Sequence, residues 1–109
     1  MAVILRITSR AIWEKARADG EFRSEDLAGE GFIHAATREQ LPFVREKFYK
    51  DQAGLVVLHV DTDRLTSPVI WENPHANGRL FPHVYGPINV DAVTEIRPLD
   101  EVLTVECDR

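Results

Sequence analysis

The chain has a single cysteine in 109 residues, fewer basic than acidic side chains and no long hydrophobic run. Each shortage excludes something. One thiol, Cys107, can form no internal disulfide and no thiolate cluster for zinc or an iron–sulfur centre. Such cysteine usage is expected of a reducing cytoplasm. The opening MAVILRITSR is too short an apolar run for a signal peptide and has no basic residues ahead of it. Its apolar runs fall short of the roughly eighteen residues of a membrane span, so a cytoplasmic protein without a membrane partner is expected. Lys and Arg number 13 against 18 Asp and Glu, a formal charge of −5. That is the wrong sign for gripping phosphate backbones over a broad surface, and extended nucleic-acid binding is not expected.

Signature motifs are missing too. Neither G-x-G-x-x-G nor G-x-x-x-x-G-K-[ST] occurs, so any nucleotide site must be of another kind. A triad built on Ser9, Ser24 or Ser67 has no G-x-S-x-G elbow behind it, and Cys107 sits in an expected frayed tail. Glu72, His75 and His83 could be imagined around a metal, but no H-E-x-x-H is present and none is expected. Asp61 and Asp63 in VDTD read as turn formers rather than paired catalytic acids.

What is present is an ordinary apolar fraction of 44%, enough for one domain over residues 1–109. AVILRIT is a first strand. Ser9 caps a helix in which Ile12, Trp13, Ala16 and Ala18 recur until Asp19-Gly20. Ser24 can cap a single turn through Leu27, after which GFIHAA is a short second strand. Thr37-Arg38-Glu39-Gln40 matches a capping box ahead of Leu41, Val44 and Phe48. Pro42 would be the fifth residue of that helix and predicts a separate or irregular first turn. GLVVLHVD is apolar on both faces and should be central. VIWE, PHVYGPI and AVTEIRPL are further extended segments, separated by the NPHANGRL loop and a turn at NVDAV that can start a helical turn at Asn89. The order predicts an α+β fold of small curved mixed or antiparallel sheets with two main helices.

Polar residues inside apolar runs carry the chemistry, because burying them unpaired costs about 1–3 kcal/mol. Arg6 shares a face with Ile4 and Thr8, so its guanidinium either escapes to a surface ion pair or points at an anion. His34 ends its strand just before the Thr37 cap, where helix N–H groups attract anions and disfavour imidazolium. It is either a neutral hydrogen-bonding ligand residue or a satisfied core histidine. Glu72 ends VIWE beside Asn73-Pro74, as a plain cap or as a catalytic carboxylate on rigid structure. In LFPHVYGP two prolines bracket HVYG, alternation puts His83 and Tyr85 on one face, and Gly86 allows a close backbone approach. That segment lines a pocket or forms a structural turn.

With LRIT, GFIHAATREQ, VIWE and FPHVYGPI in order, the sequence resembles a bacterial family known as domain of unknown function 952, from about Val3 to Leu99. The resemblance implies an ADP-ribosyltransferase-like fold, shared with RNA 2′-phosphotransferases, in which NAD is split in a cleft between two small antiparallel sheets. By position, Arg6 would match the early basic residue, His34 or Thr37 the second element, and Glu72 or a neighbour the late carboxylate. A histidine is usual where this chain has Arg6, though an arginine can also bind ribose or phosphate. The expectation is therefore a small enzyme acting on NAD, ADP-ribose or a related nucleotide. Glu72 and His34 would be catalytic, with Glu72 stabilising an electron-poor ribosyl carbon. Arg6, Thr37, His83 and Tyr85 would bind the ligand, NAD being a substrate rather than a resident cofactor. The alternative is a non-catalytic small-molecule sensor or partner-binding module on the same fold.

Overall fold

The computed structural model describes residues 2–72 and 80–107. Residues 73–79, most of the expected loop and with it His75, lie outside the described residues.

The continuous apolar stretch of residues 55–61 forms the middle of the molecule. Strand β4 (Leu55–Asp61) pairs antiparallel with β1 (Val3–Ser9) on one side and β8 (Val93–Pro98) on the other. Both faces of this sheet are covered. Ile4, Val56, Leu58 and Val60 pack against Trp13, Phe22, Ile33, Val84 and Ile88 in one core. Leu5, Ile7 and Val57 pack against Leu41, Leu99 and Val102 in the other.

Helix α1 (Arg10–Asp19) starts where the Ser9 hydroxyl accepts the Ile12 amide at 3.1 Å. It stops at Gly20, whose φ of 88° suits the left-handed cap. Trp13 and Ala16 are its buried residues; Ile12, expected beside them, is 50% exposed, and Ala18 is exposed too. A two-residue strand, β2 (Glu21–Phe22), follows and pairs with β7 (Ile88–Asn89). Helix α2 (Glu25–Glu30) is the expected turn after Ser24, a little longer than foreseen. The GFIHAA strand is β3 (Ile33–His34), which pairs with β6 (Phe81–Val84), itself paired with β5 (Val69–Glu72). Leu5 and Ala36 exchange backbone hydrogen bonds at 2.8 Å each and link this third sheet to the free edge of β1. Every strand pairing among the described residues is antiparallel, so the sheets there are antiparallel rather than mixed.

The capping box forms as written: the Thr37 amide donates to Gln40 Oε1 and the Gln40 amide to Thr37 Oγ1. It closes a turn of its own, and α3 (Leu41–Phe48) begins after it, with Pro42 in the first turn where no amide is needed. The expected helical turn after Asn89 is a 3-10 turn at Val90–Ala92. The reading of an extended end and a frayed Cys107 is corrected by α4 (Leu99–Cys107). Leu99 and Val102 bury its inner face, and Asp100 and Glu101 lie in the first turn, where the helix dipole favours acids. The fold is thus α+β with antiparallel sheets and four helices among the described residues rather than two. None of these helices is long and apolar enough to cross a membrane.

One backbone position has no tolerance. Gly86 has φ 150°, and a Cβ there would collide with the side chain of Ser67, whose hydroxyl donates to the Pro87 carbonyl at 2.7 Å. Gly86→Ala is expected to destabilise by about 1–3 kcal/mol, lowering the thermal midpoint by roughly 4–8 °C per kcal/mol. Circular dichroism melting checks this; an unchanged midpoint would mean that the segment is not held as described.

Candidate functional site

The third sheet turns one face to the core and the other outward. Ile33 and Val84 point inward, while His34, Phe81 and His83 line a cleft of about 430 Å³ between this sheet, the edge of β1 and helix α3. Arg6, Asp26, Glu30, Phe43, Lys47 and Tyr49 contribute to the same walls.

At one end Asp26 gathers three elements. Its Oδ2 accepts from Arg6 Nη1 at 2.7 Å, from the His34 amide at 2.8 Å and from His34 Nδ1 at 2.9 Å. Its Oδ1 accepts from the Leu27 amide at 3.1 Å and from the Ser24 hydroxyl. Arg6 Nη1 also donates to the His34 carbonyl at 3.0 Å, and its guanidinium lies 5.6 Å from the centre of the Phe22 ring. Burial by itself would raise the Asp26 pKa, but the His34 ring, the Arg6 cation, the His34 amide and the Ser24 hydroxyl together hold it well below the usual carboxylate range. An ionised carboxylate only accepts, so the proton of the shared bond belongs to His34 Nδ1. The second nitrogen, Nε2, stands 3.9 Å from Glu30 Oε2.

A second histidine is held in the same way. His83 is buried, and its Nδ1 is 2.8 Å from Glu72 Oε2. The Tyr85 hydroxyl donates to the same oxygen. The Tyr85 bond, followed by the His83 bond, lowers the Glu72 pKa, and the Glu72 contact raises that of Tyr85. Ile70 is the residue paired with His83, so Glu72 is its diagonal neighbour, within reach across an antiparallel pair. Phe32 stacks on His83 at 4.2 Å between ring centres and leans on His34 at 4.9 Å and Tyr85 at 5.2 Å. The two imidazoles meet edge to face at 5.1 Å.

His34, Glu72, His83 and Tyr85 are therefore brought together, and Arg6 joins them through Asp26. Thr37 does not: it serves the capping turn and is absent from the cleft walls. Glu72 and Tyr85 are likewise not among the described lining residues; they stand behind His83. Sequence reasoning missed Asp26, because Ser24-Glu25-Asp26 has the composition of any solvated helix start, and it missed Phe32 as the ring between the histidines. Among the described residues no group of His, Cys, Asp and Glu is arranged to hold a metal ion.

Asp26 is more acidic in the folded than in the unfolded chain. Its stabilising effect is thus complete well above the unfolded value of about 3.9 and fades as pH falls through it. Asp26→Asn, which strands the Arg6 cation, is expected to cost about 3 kcal/mol at pH 7, and the gap to the parent should narrow by about 1 kcal/mol at pH 3. Urea unfolding at both pH values measures this; a gap independent of pH would remove charge from the explanation.

The fold has solved relatives. Protein CC0527 from Caulobacter crescentus, in its X-ray structure, is similar with a TM-score of 0.80 and 37% identity, covering 89% of this chain and 85% of that one. Its solution NMR structure gives a TM-score of 0.76 at 37% identity, over 90% and 84% of the two chains. No curated protein matches. Residues 7–96 match the family described as protein of unknown function DUF952, and the chain belongs to that family.

Proposed function

We propose that the cleft is an acid–base site for a small ribose-bearing nucleotide, with NAD and ADP-ribose as the leading substrates, and that His34 and His83 move the protons. The observation that carries this reading is the pair of imidazoles, each anchored through Nδ1 by its own carboxylate, 5.1 Å apart in the wall of one cleft. Anchoring Nδ1 sets the tautomer and the ring direction, so exchange with a ligand falls to Nε2. A volume of about 430 Å³ suits a mononucleotide or half of a dinucleotide.

The reaction closest to the family resemblance is cleavage of the bond between nicotinamide and ribose. Nicotinamide leaves with the bonding pair, the ribosyl carbon becomes electron-poor, and a water or acceptor hydroxyl adds there and yields its proton to an Nε2. Glu30 lines the cleft and faces His34 Nε2, so this reading moves the stabilising carboxylate from Glu72 to Glu30. Glu72 and Tyr85 then act through His83. Two antiparallel sheets flanking the cleft support an ADP-ribosyltransferase-like arrangement.

A second reading, binding without turnover, draws on Arg6. Its Nη1 is spent inside the protein on Asp26 and the His34 carbonyl, as in a structural network. Calorimetric titration with NAD and ADP-ribose, followed by long incubation with detection of nicotinamide, separates the two. Turnover that falls about 100- to 10,000-fold in His34→Ala and His83→Ala, with binding changed far less, is the expected result. Saturable binding with no product would leave the second reading, and no binding at all would remove both.

A further inference from the structure

The cleft has a second end that proton transfer does not use. Helix α3 turns Leu41 into the core and puts Phe43, Lys47 and Phe48 along the cleft, where β6 adds Phe81. The Phe43 and Phe81 rings are 6.2 Å apart with planes 30° from parallel, a nearly continuous aromatic wall. The Lys47 ammonium lies 5.6 Å from the Phe43 ring centre and 5.7 Å from that of Phe48. Phe48 is 52% exposed although the second core lies next to it.

Resting on the reading of the cleft as a nucleotide site, we infer that this end is a subsite for the planar ring of the ligand, with Lys47 placed for its phosphate. The ligand class is a nucleoside phosphate rather than a sugar phosphate or an acyl chain. An acyl chain would gain from the apolar wall but leave the cation without a counterpart. A bare sugar phosphate would meet the cation and make no use of the aromatic wall. Phe81 and His83 alternate on one face of β6, about 6.6 Å apart along the strand, so a ring on Phe81 would carry its attached sugar towards the histidines. Stacking of a base on an aromatic side chain is sequence-tolerant, so the wall selects a flat ring without choosing among bases.

Ribose 5-phosphate and adenosine 5′-monophosphate, titrated calorimetrically against the full chain, test the inference apart from the reading beneath it. The parent should bind the nucleotide about 5- to 150-fold more tightly than the sugar phosphate. Phe43→Ala should erase most of that preference while leaving the sugar phosphate affinity within about twofold, which also certifies the fold. Phe43→Trp, with a wider face, should restore it. Equal affinity of the parent for both ligands, or a preference that survives Phe43→Ala, overturns the ring subsite and leaves the histidine site standing. Binding of neither ligand overturns both.

Discussion

Asp26 holds the site end of the molecule together. Helix α2 buries no residue completely, and its six residues are too few to be stable alone. Leu27 packs partly buried against the first core, and the helix's polar attachment runs through one carboxylate that reaches Arg6 on β1 and both the amide and the ring of His34 on β3. A half-buried acid without partners would be costly to keep ionised, and so would a guanidinium rising from the face that carries Ile4. Each removes the penalty of the other. The by-product is a histidine whose ring cannot turn, at the seam where β1 meets the third sheet.

How much of this the sequence made legible depends on the range of the forces. Ser9, Gly20 and the Thr37–Gln40 box act within a few residues, and all three sit where local rules place them. Residues 55–61 are apolar on both faces, and a strand covered on both sides has to be central. Strands β2 and β7 escaped because two residues have no period. Helix α4 escaped because AVTEIRPL reads as extended up to Pro98, although Leu99, Val102 and Leu103 carry helical spacing just beyond it. Ile12 shows the reverse failure: it fits the apolar stripe of α1, yet the short strand contacts beside that helix cover only Trp13 and Ala16.

The site divides in the same way. His83 reaches Glu72 as its diagonal neighbour, a relation readable from FPHVYG and VIWE once the two are paired, and the Tyr85 hydroxyl, on the same strand face, meets the same oxygen. The partner of His34 was not readable. The helix entrance expected to receive it is occupied by its own capping box, while Asp26 comes from eight residues upstream in a segment that looks solvated. Choice of partner there is made by tertiary packing, and no local pattern records it.

The two histidine–carboxylate pairs are alike in geometry and unlike in surroundings. Asp26 is balanced by Arg6, and the His34 ring it holds turns Nε2 to Glu30 Oε2 at 3.9 Å. Among the described residues Glu72 is met by the His83 ring and the Tyr85 hydroxyl. His83 is also buried and stacked on Phe32, whereas the His34 side chain keeps 37% of its surface open. One device, a carboxylate on Nδ1, thus fixes two imidazoles in the wall of a single cleft and leaves one open and the other enclosed.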